Sequence, residues 1–164
     1  MPQIAIRKAT IKDSSLILGF IKELAIYEKA ENQVIATVED IEKNLFDNRT
    51  TTEAVICTSD HKPIGIAIYF LNFSTWLGKN GLYLEDLYVT PGYRGTGAGK
   101  RLLKYLAGLA IENDYGRFEW SVLNWNEPAI KFYESIGANA QSEWLVYRLE
   151  GQSLLNFAKS KTQG

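Results

Sequence analysis

The feature of this 164-residue sequence best suited to chemistry is a turn in which glycines alternate and cations flank them. The turn consists of Arg94, Gly95, Thr96, Gly97, Ala98, Gly99 and Lys100. Glycine lets a backbone approach a ligand closely, and a segment with helical periodicity follows directly. The first N–H groups of a helix lack intrahelical partners and attract anions. The turn, with Arg101 also nearby, therefore predicts a site for phosphate oxygens.

The glycine spacing excludes two common phosphate-binding loops. A Walker A loop needs a glycine five residues before Gly99, but position 94 is arginine, and Arg101 stands where a serine or threonine would hold magnesium. A dinucleotide-binding fingerprint that used Gly95 and Gly97 would need its third glycine at position 100, which is lysine. A turn that uses glycine for conformation alone remains the alternative, although the flanking cations favour an anion site.

Glu85 and Asp86 form an acidic pair in the segment just before this turn. A carboxylate there can accept a proton from a reacting group or bind a cation. In a regular strand neighbouring side chains point to opposite faces, so a β-bulge would be needed to bring both to one side. A solvated pair at a strand end is the alternative interpretation.

Charge and composition exclude several other classes of protein. The net charge of −1 argues against an extended nucleic-acid surface. One histidine, His61, and one cysteine, Cys57, leave no usual zinc ligand set, no Ser/His/Asp triad and no intrachain disulfide. The longest apolar run, Ile64 to Leu71, is too short to span a bilayer, and the first ten residues do not resemble a signal peptide. We expect a cytoplasmic protein that binds no metal, nucleic acid or membrane.

Hydrophobic periodicity predicts one domain, residues 1–164, with a disordered tail from about position 160. The predicted strands are residues 3–8, 54–58, 64–73, 82–89, 118–123 and 144–149. The predicted helices are residues 13–28, a short one from Thr37, 98–113 and 126–136, the last closed by Gly137. Asp13, Thr37 and Asn126 are the expected N-caps, and the Thr37 hydroxyl should accept from the N–H of Asp40. Residues 59–63 have the composition of a hairpin turn. This order predicts an α/β (α+β) fold, a mixed sheet with helices on both faces.

Several segments together resemble the GCN5-related N-acetyltransferase superfamily, whose loop has the pattern R/Q-x-x-G-x-G/A. Within it, the chain is similar to the diamine (spermidine/spermine) N-acetyltransferases and to the sister enzymes that acetylate thialysine. The resembling segments are IRKATIKDSSLILGFIKELAIYEKAENQV, STWLGK, LYLEDLYV, YRGTGAGK and WNEPAIKFYESIGA. They follow one another in order over nearly the whole chain.

The resemblance implies a mostly antiparallel sheet that is splayed at its middle, and acetyl-coenzyme A (acetyl-CoA) as co-substrate. In this superfamily, loop amides hold the pyrophosphate of the coenzyme, and an amine attacks the thioester directly. A free backbone N–H at the splay, that of Leu87, would bind the thioester oxygen. The implied coenzyme-binding residues are Leu87, Tyr88, Val89, Arg94, Gly95, Thr96, Gly97, Ala98, Gly99, Lys100 and Asn126.

Two residues carry the catalysis that the resemblance implies. Glu85 is assigned as the general base, acting through water, because an alkylamine is about 99.9% protonated at neutral pH. Tyr133 matches the tyrosine from which the family protonates the leaving thiolate. From the residues alone, an aromatic side chain at that position is more typical of core packing.

The acceptor site should combine carboxylates with apolar walls, because polyamines carry separated positive charges joined by methylenes. Glu28, Asp86 and Trp144 are the candidate substrate-binding residues, with Asp86 as the ligand of an ammonium group. Further wall candidates, for which surface charge or core packing is the commoner role, are Tyr27, Glu31, Trp76 and Glu143. Polyamines, short diamines, lysine-like amines and thialysine are all compatible acceptors.

Two rival functions remain open at this point. A regulatory domain could keep the coenzyme site without turnover, although retention of Glu85 and Tyr133 argues against it. A nucleotide-binding module is disfavoured by the missing magnesium ligand. The family resemblance also implies a homodimer, for which the sequence identifies no interface.

Overall fold

The computed structural model describes residues 1–162 and divides into two compact units. The first unit is Met1–Leu123, and the second begins at Asn124. Of the tail predicted to be disordered, residues 160–162 form no helix or strand, while positions 163 and 164 lie outside the described residues. None of the helices in the described chain combines the length and hydropathy that a bilayer crossing requires.

The first unit is built on a five-stranded sheet whose strands lie in chain order. The strands are β1 (Ile4–Lys8), β2 (Glu53–Ser59), β3 (Lys62–Ser74), β4 (Lys79–Val89) and β5 (Phe118–Trp120). Strands β1 to β4 pair with their neighbours in antiparallel fashion, and β5 pairs with β4 in parallel. The predicted mixed, mostly antiparallel sheet is confirmed.

Helices cover both faces of this sheet. They are α1 (Ser14–Tyr27), α2 (Val38–Leu45) and α3 (Ala98–Glu112), with 3₁₀ turns at Ile11–Asp13, Glu31–Gln33 and Pro91–Tyr93. Helices α1 and α2 share a buried cluster with one sheet face, formed by Ile17, Phe20, Leu45, Ala54, Ile56, Ile66, Ile68 and Tyr88. A Cβ placed on Gly99 of α3 would lie 3.9 Å from Leu87 and 4.0 Å from Val89. Because these two residues flank Tyr88 in β4, α3 packs on the opposite face.

Local sequence signals explain where α2 begins and how the chain turns between β2 and β3. Thr37 caps α2 as predicted, since its hydroxyl accepts from the N–H of Asp40 at 3.2 Å and the Asp40 carboxylate accepts from the N–H of Thr37 at 2.9 Å. Between β2 and β3, Asp60 and His61 have φ values of 48° and 69°. Positive φ at both central residues is typical of the tight turns whose twist matches a hairpin.

The start of α1 differs from the prediction in one respect. The helix begins after Asp13, but the Asp13 carboxylate makes no capping hydrogen bond. It accepts two hydrogen bonds at 2.8 Å from the guanidinium of Arg7 in β1, and one at 2.8 Å from the N–H of Thr10. The hydrogen bonds from Arg7 are the main cause that lowers the pKa of Asp13 to about 2. Asp13 therefore ties β1 to the start of α1 and stays ionised well into the acid range.

The second unit contains α4 (Glu127–Ser135) and α5 (Gly151–Lys159). The predicted strand at residues 144–149 is wrong, because no strand is found there in the described chain and α5, which was not predicted, follows it. Alternating apolar residues indicate that a segment can form a strand, but a strand also needs a neighbouring strand for its backbone hydrogen bonds. Within this unit the described regular elements are helices, so the segment has no strand of its own unit to pair with.

Candidate active site

Strand β4 contains one more residue than the stretch of β3 that it faces. Ile68 is opposite Asp86 and Tyr69 is opposite Leu84, so Glu85 has no partner in the ladder. Two residues of β4 that are two positions apart therefore face consecutive residues of β3. An unpaired residue of this kind is a β-bulge. The bulge predicted at this acidic pair is confirmed.

The bulge brings both carboxylates to the same side of the sheet. Asp86 shares the face of Ile68, which belongs to the cluster under α1 and α2. Leu84 shares the face of Tyr69, which is the opposite one because side chains alternate along β3. Glu85 follows Leu84 and points away from that face. Glu85 and Asp86 therefore both leave the sheet on the α1 side.

Strands β4 and β5 part beyond the bulge. Their pairing ends where Leu84 faces Trp120. The N–H of Thr90 donates to Ile64 in β3 at 2.8 Å, and donors alternate in direction along a strand. Counting back from Thr90, the N–H of Leu87 points away from β3, toward the edge that β5 has left. A backbone donor at that edge is what the predicted contact with a thioester oxygen requires.

Three carboxylates meet at the end of α1. Burial raises the pKa of Asp86 to about 6, and repulsion from the nearby charges of Glu85 and Glu28 adds to the effect. Burial also raises the pKa of Glu28. Like charges that are held together at a half-buried site favour either a proton or a bound cation. The cluster suits an ammonium group.

The anion loop, residues 94–100, has the backbone conformation that its glycines predict. Gly95 and Gly97 have φ values of 80° and 87°, a region in which other residues are strained, and a Cβ at either would meet open space. Gly97 is the N-cap of α3, and no side chain of the described residues caps that helix. The first intrahelical bond runs from the N–H of Arg101 to the carbonyl of Gly97 at 2.9 Å. The N–H groups of Ala98, Gly99 and Lys100 precede it and begin the helix without intrahelical partners.

These main-chain donors fit the pyrophosphate of acetyl-CoA. Phosphate oxygens accept from helix-start N–H groups without needing a metal, and the open space beside Gly95 and Gly97 admits them. Lys100 is exposed at the same helix start. Among residues 1–162, no group of three or more His, Cys, Asp and Glu side chains is arranged to hold a metal.

Three loop side chains face partners within the protein. The Thr96 hydroxyl donates to the carbonyl of Tyr93 at 2.6 Å, and this bond tightens the turn. The Arg101 guanidinium donates to the carbonyl of Ile4 at 3.0 Å, so it points to β1. Arg94 donates through Nε to the carbonyl of Val89 at 3.1 Å. The helix-start amides and the exposed Lys100 are the groups of the loop that these three contacts leave for an anion.

The remaining predicted site residues belong to the second unit. The Asn126 side chain caps α4 by accepting from the N–H of Ala129 at 3.4 Å, as predicted. Tyr133 is half-buried on α4, with its ring centre 5.9 Å from that of Phe132. Trp144 is exposed after a short turn in which its N–H donates to Gln141 at 3.1 Å.

Sequence reasoning did not identify Glu23, and it gave Tyr27 only a minor place. Both lie on α1, four residues apart, and both interact with the β4 and loop side of the site through Tyr88 and Arg94. The (i, i+4) spacing shows that they share a helix face, but nothing local in the sequence shows what that face meets.

Comparison with known proteins points to the same kind of protein as the family resemblance of the sequence. The model of the acetyltransferase (GNAT) family matches residues 21–138. The thialysine N-epsilon-acetyltransferase of Sus scrofa is 33% identical, with 96% of this chain and 99% of that protein covered. The spermidine/spermine N(1)-acetyltransferase-like protein 1 of Homo sapiens is also 33% identical, over 96% of this chain but 24% of that longer protein.

A solved structure agrees as well. The integron cassette protein VCH_CASS6 from the mobile metagenome of V. cholerae superposes with a TM-score of 0.80 at 29% identity, over 96% of this chain and 98% of that one. Since the curated relatives are named as acetyltransferases, the non-catalytic alternative is not supported. The matched family model spans most of the chain, and the chain therefore belongs to the acetyltransferase (GNAT) family and is an N-acetyltransferase.

Proposed function

We propose that this protein uses acetyl-CoA, in the cytoplasm, to acetylate a primary amine of a small molecule that carries a second positive charge. The observation that supports this most directly is the β4 bulge, which turns Glu85 and Asp86 to one side just before the anion loop. The acceptor class includes polyamines, diamines, and lysine-like amines such as thialysine. The names of two relatives, which act on thialysine or resemble spermidine/spermine enzymes, agree with that class.

On the donor side, the amides of residues 95–100 and the Lys100 ammonium hold the pyrophosphate. Further contacts to the coenzyme would come from the backbone of Leu87, Tyr88 and Val89 and from the side chain of Asn126. Acetyl-CoA, when bound, supplies the acetyl group as a thioester. The Leu87 N–H donates to the thioester oxygen, where negative charge grows as the amine attacks.

On the acceptor side, the amine must lose a proton before it can attack. An alkylamine with a pKa of about 10.4 is almost fully protonated at pH 7, which costs on the order of 4 kcal/mol. Glu85 accepts this proton through water, and its exposure at the bulge leaves room for that water. Asp86 and Glu28 bind the positive charge of the acceptor, and Trp144 adds an apolar wall.

The activity is tested by thiol release from acetyl-CoA with spermine, spermidine, putrescine, lysine or thialysine as acceptor. We expect at least one of them to release one thiol per acetylated amine. We expect n-butylamine, which has one charge, to have a kcat/KM lower by about tenfold or more, because the second charge is what Glu28 and Asp86 bind. Background hydrolysis alone with all five acceptors would contradict the proposal. Calorimetric titration with acetyl-CoA and with ATP is the binding control, and tight binding of ATP would contradict the assigned donor.

Asp86→Asn should lower kcat/KM for the amine, and the size of the loss should depend on pH. Asp86 is ionised above its pKa of about 6 and becomes neutral below it, so the variant loses a charge that the wild type has only at higher pH. The ratio of wild-type to variant kcat/KM for the amine cancels the titration of the amine itself. We expect a ratio of about 10 to 100 at pH 8, the range of a hydrogen bond to a charged group, which falls toward 1 below pH 6.

Glu39→Gln is the matched control for this measurement. It removes one negative charge from the exposed side of α2, and its ratio should stay near 1 at every pH. A ratio for Asp86→Asn that is independent of pH, or an equal rise in KM for acetyl-CoA, would show that Asp86 is not the ammonium ligand.

Tyr133 is proposed as the proton donor to the thiolate that leaves. Tyr133→Phe should lower kcat by about 100-fold, the size of a general acid contribution, with smaller changes in both KM values. Tyr147→Phe, in the same unit, is the control and should keep wild-type kcat. An unchanged kcat for Tyr133→Phe would remove this residue from the mechanism.

We further propose that the protein is a homodimer. The residues Leu145, Val146 and Tyr147 are 77%, 90% and 90% exposed, which is a costly arrangement for a run of apolar side chains in water. Sedimentation equilibrium should give twice the chain mass, and Val146→Glu should shift it to the monomer. Phe73→Glu, at an exposed position of β3, is the control and should remain dimeric. A monomeric wild type would contradict the proposal.

A further inference from the structure

Arg94 begins the anion loop, yet its guanidinium contacts aromatic rings and a carbonyl of the protein. Its Cζ lies 4.8 Å from the centre of the Tyr27 ring and 5.6 Å from that of Tyr88. Its Nε donates to the carbonyl of Val89 at 3.1 Å. Cations within about 6 Å of a ring centre are attracted to the ring, and a planar guanidinium is well suited to stacking. Three contacts from two elements therefore fix the direction of this side chain.

Tyr88 is itself held in place. Its ring centre lies 6.0 Å from that of Phe20 in α1, and it belongs to the buried cluster on that sheet face. Burial raises the pKa of Tyr88, and a hydrogen bond to Glu23 raises it further, while Arg94 acts in the opposite direction. The hydroxyl thus interacts with a carboxylate of α1 and with the guanidinium of the loop. We name Glu23, Tyr27, Tyr88 and Arg94 the Arg94 cluster.

The Arg94 cluster adjoins both halves of the proposed site. Tyr27 directly precedes Glu28 at the end of α1, and Tyr88 lies two residues beyond Asp86 on the same face of β4. Arg94 directly precedes Gly95. The residues next to the cluster are therefore the acceptor carboxylates on one side and the first glycine of the donor loop on the other.

We propose that Arg94 is a positioning residue, whose stacked guanidinium fixes the anion loop to the acceptor end of α1, and that it is not a phosphate ligand. To reach a phosphate, the side chain would have to leave Val89 and both rings. Lys100 is exposed and already supplies a cation at the helix start. This inference rests on the proposed function, because it assumes a donor at the loop and an acceptor at Glu28 and Asp86.

A cation of the loop can either position the loop or bind phosphate. The kinetics of Arg94→Lys, Tyr27→Leu and Lys100→Gln separate these two roles. Arg94→Lys keeps the charge but loses the planar group and its Nε donor, while Tyr27→Leu removes one ring and leaves Arg94 intact. We expect each to lower kcat/KM for the amine about tenfold, with little further loss in the double variant, because both break the same contact. Glu39→Gln, on the exposed side of α2, is the control and should retain wild-type kinetics. Lys100→Gln should instead raise KM for acetyl-CoA, with little change for the amine.

A second measurement does not depend on turnover. Hydrogen exchange of the segment 94–101 should become about tenfold faster in Arg94→Lys and in Tyr27→Leu, and should be unchanged in Lys100→Gln. If the wild type acetylates no amine, the proposed function fails, and the exchange result still tests the positioning role. The inference is overturned if Arg94→Lys has wild-type kinetics and exchange, or if Tyr27→Leu affects neither the amine nor the loop.

Discussion

One extra residue in β4, opposite the step from Ile68 to Tyr69 in β3, changes which side chains face α1. Before the bulge, Leu84 lies on the α3 side, and two positions later Asp86 lies on the α1 side. Without the extra residue, Glu85 and Asp86 would point to opposite faces and could not act on one substrate. The same irregularity lies where β4 and β5 part. The register of β4 on β3, more than any single contact, thus determines that the two carboxylates lie next to the gap between β4 and β5 and its backbone donors.

Near the end of α1, three carboxylates repel one another, while the positive charge of a nearby arginine has favourable contacts. Burial raises the pKa of Asp86, and repulsion from Glu85 and Glu28 raises it further. A few residues away, Arg94 is stabilised by two rings and a carbonyl. A site that binds a cation needs uncompensated negative charge, and the surrounding structure must stabilise that arrangement elsewhere. The Arg94 cluster and the buried α1 face are neighbouring features that can do so.

Sequence reasoning succeeded where the deciding interactions are local. The caps at Thr37 and Asn126, the hairpin turn before Pro63 and the positive φ of Gly97 all depend on residues within a few positions. The bulge found at Glu85 is the irregularity that the acidic pair needs to share a face, and the splay implied by the family resemblance suggests one there. Sequence reasoning failed where the structure of a residue depends on a partner that is distant in the sequence.

Two cases show that failure clearly. Residues 144–149 have a strand-like pattern but no neighbouring strand in their unit, and their apolar side chains are exposed. Asp13 was expected to cap α1, but the approach of Arg7 from β1 gives its carboxylate a stronger, charged partner. The stacking of Arg94 on Tyr27 belongs to the same class, because 67 positions of chain separate the two residues.

The order of the strands also has a consequence for how the chain folds. Strands β2, β3 and β4 are joined by short turns, so their pairings close small loops at low entropic cost. The parallel pairing of β5 with β4 must wait for the whole crossover through α3. During synthesis, the meander with its bulge can therefore form before the crossover is complete, so that the acidic groups are assembled while the amides that hold the donor are still unordered.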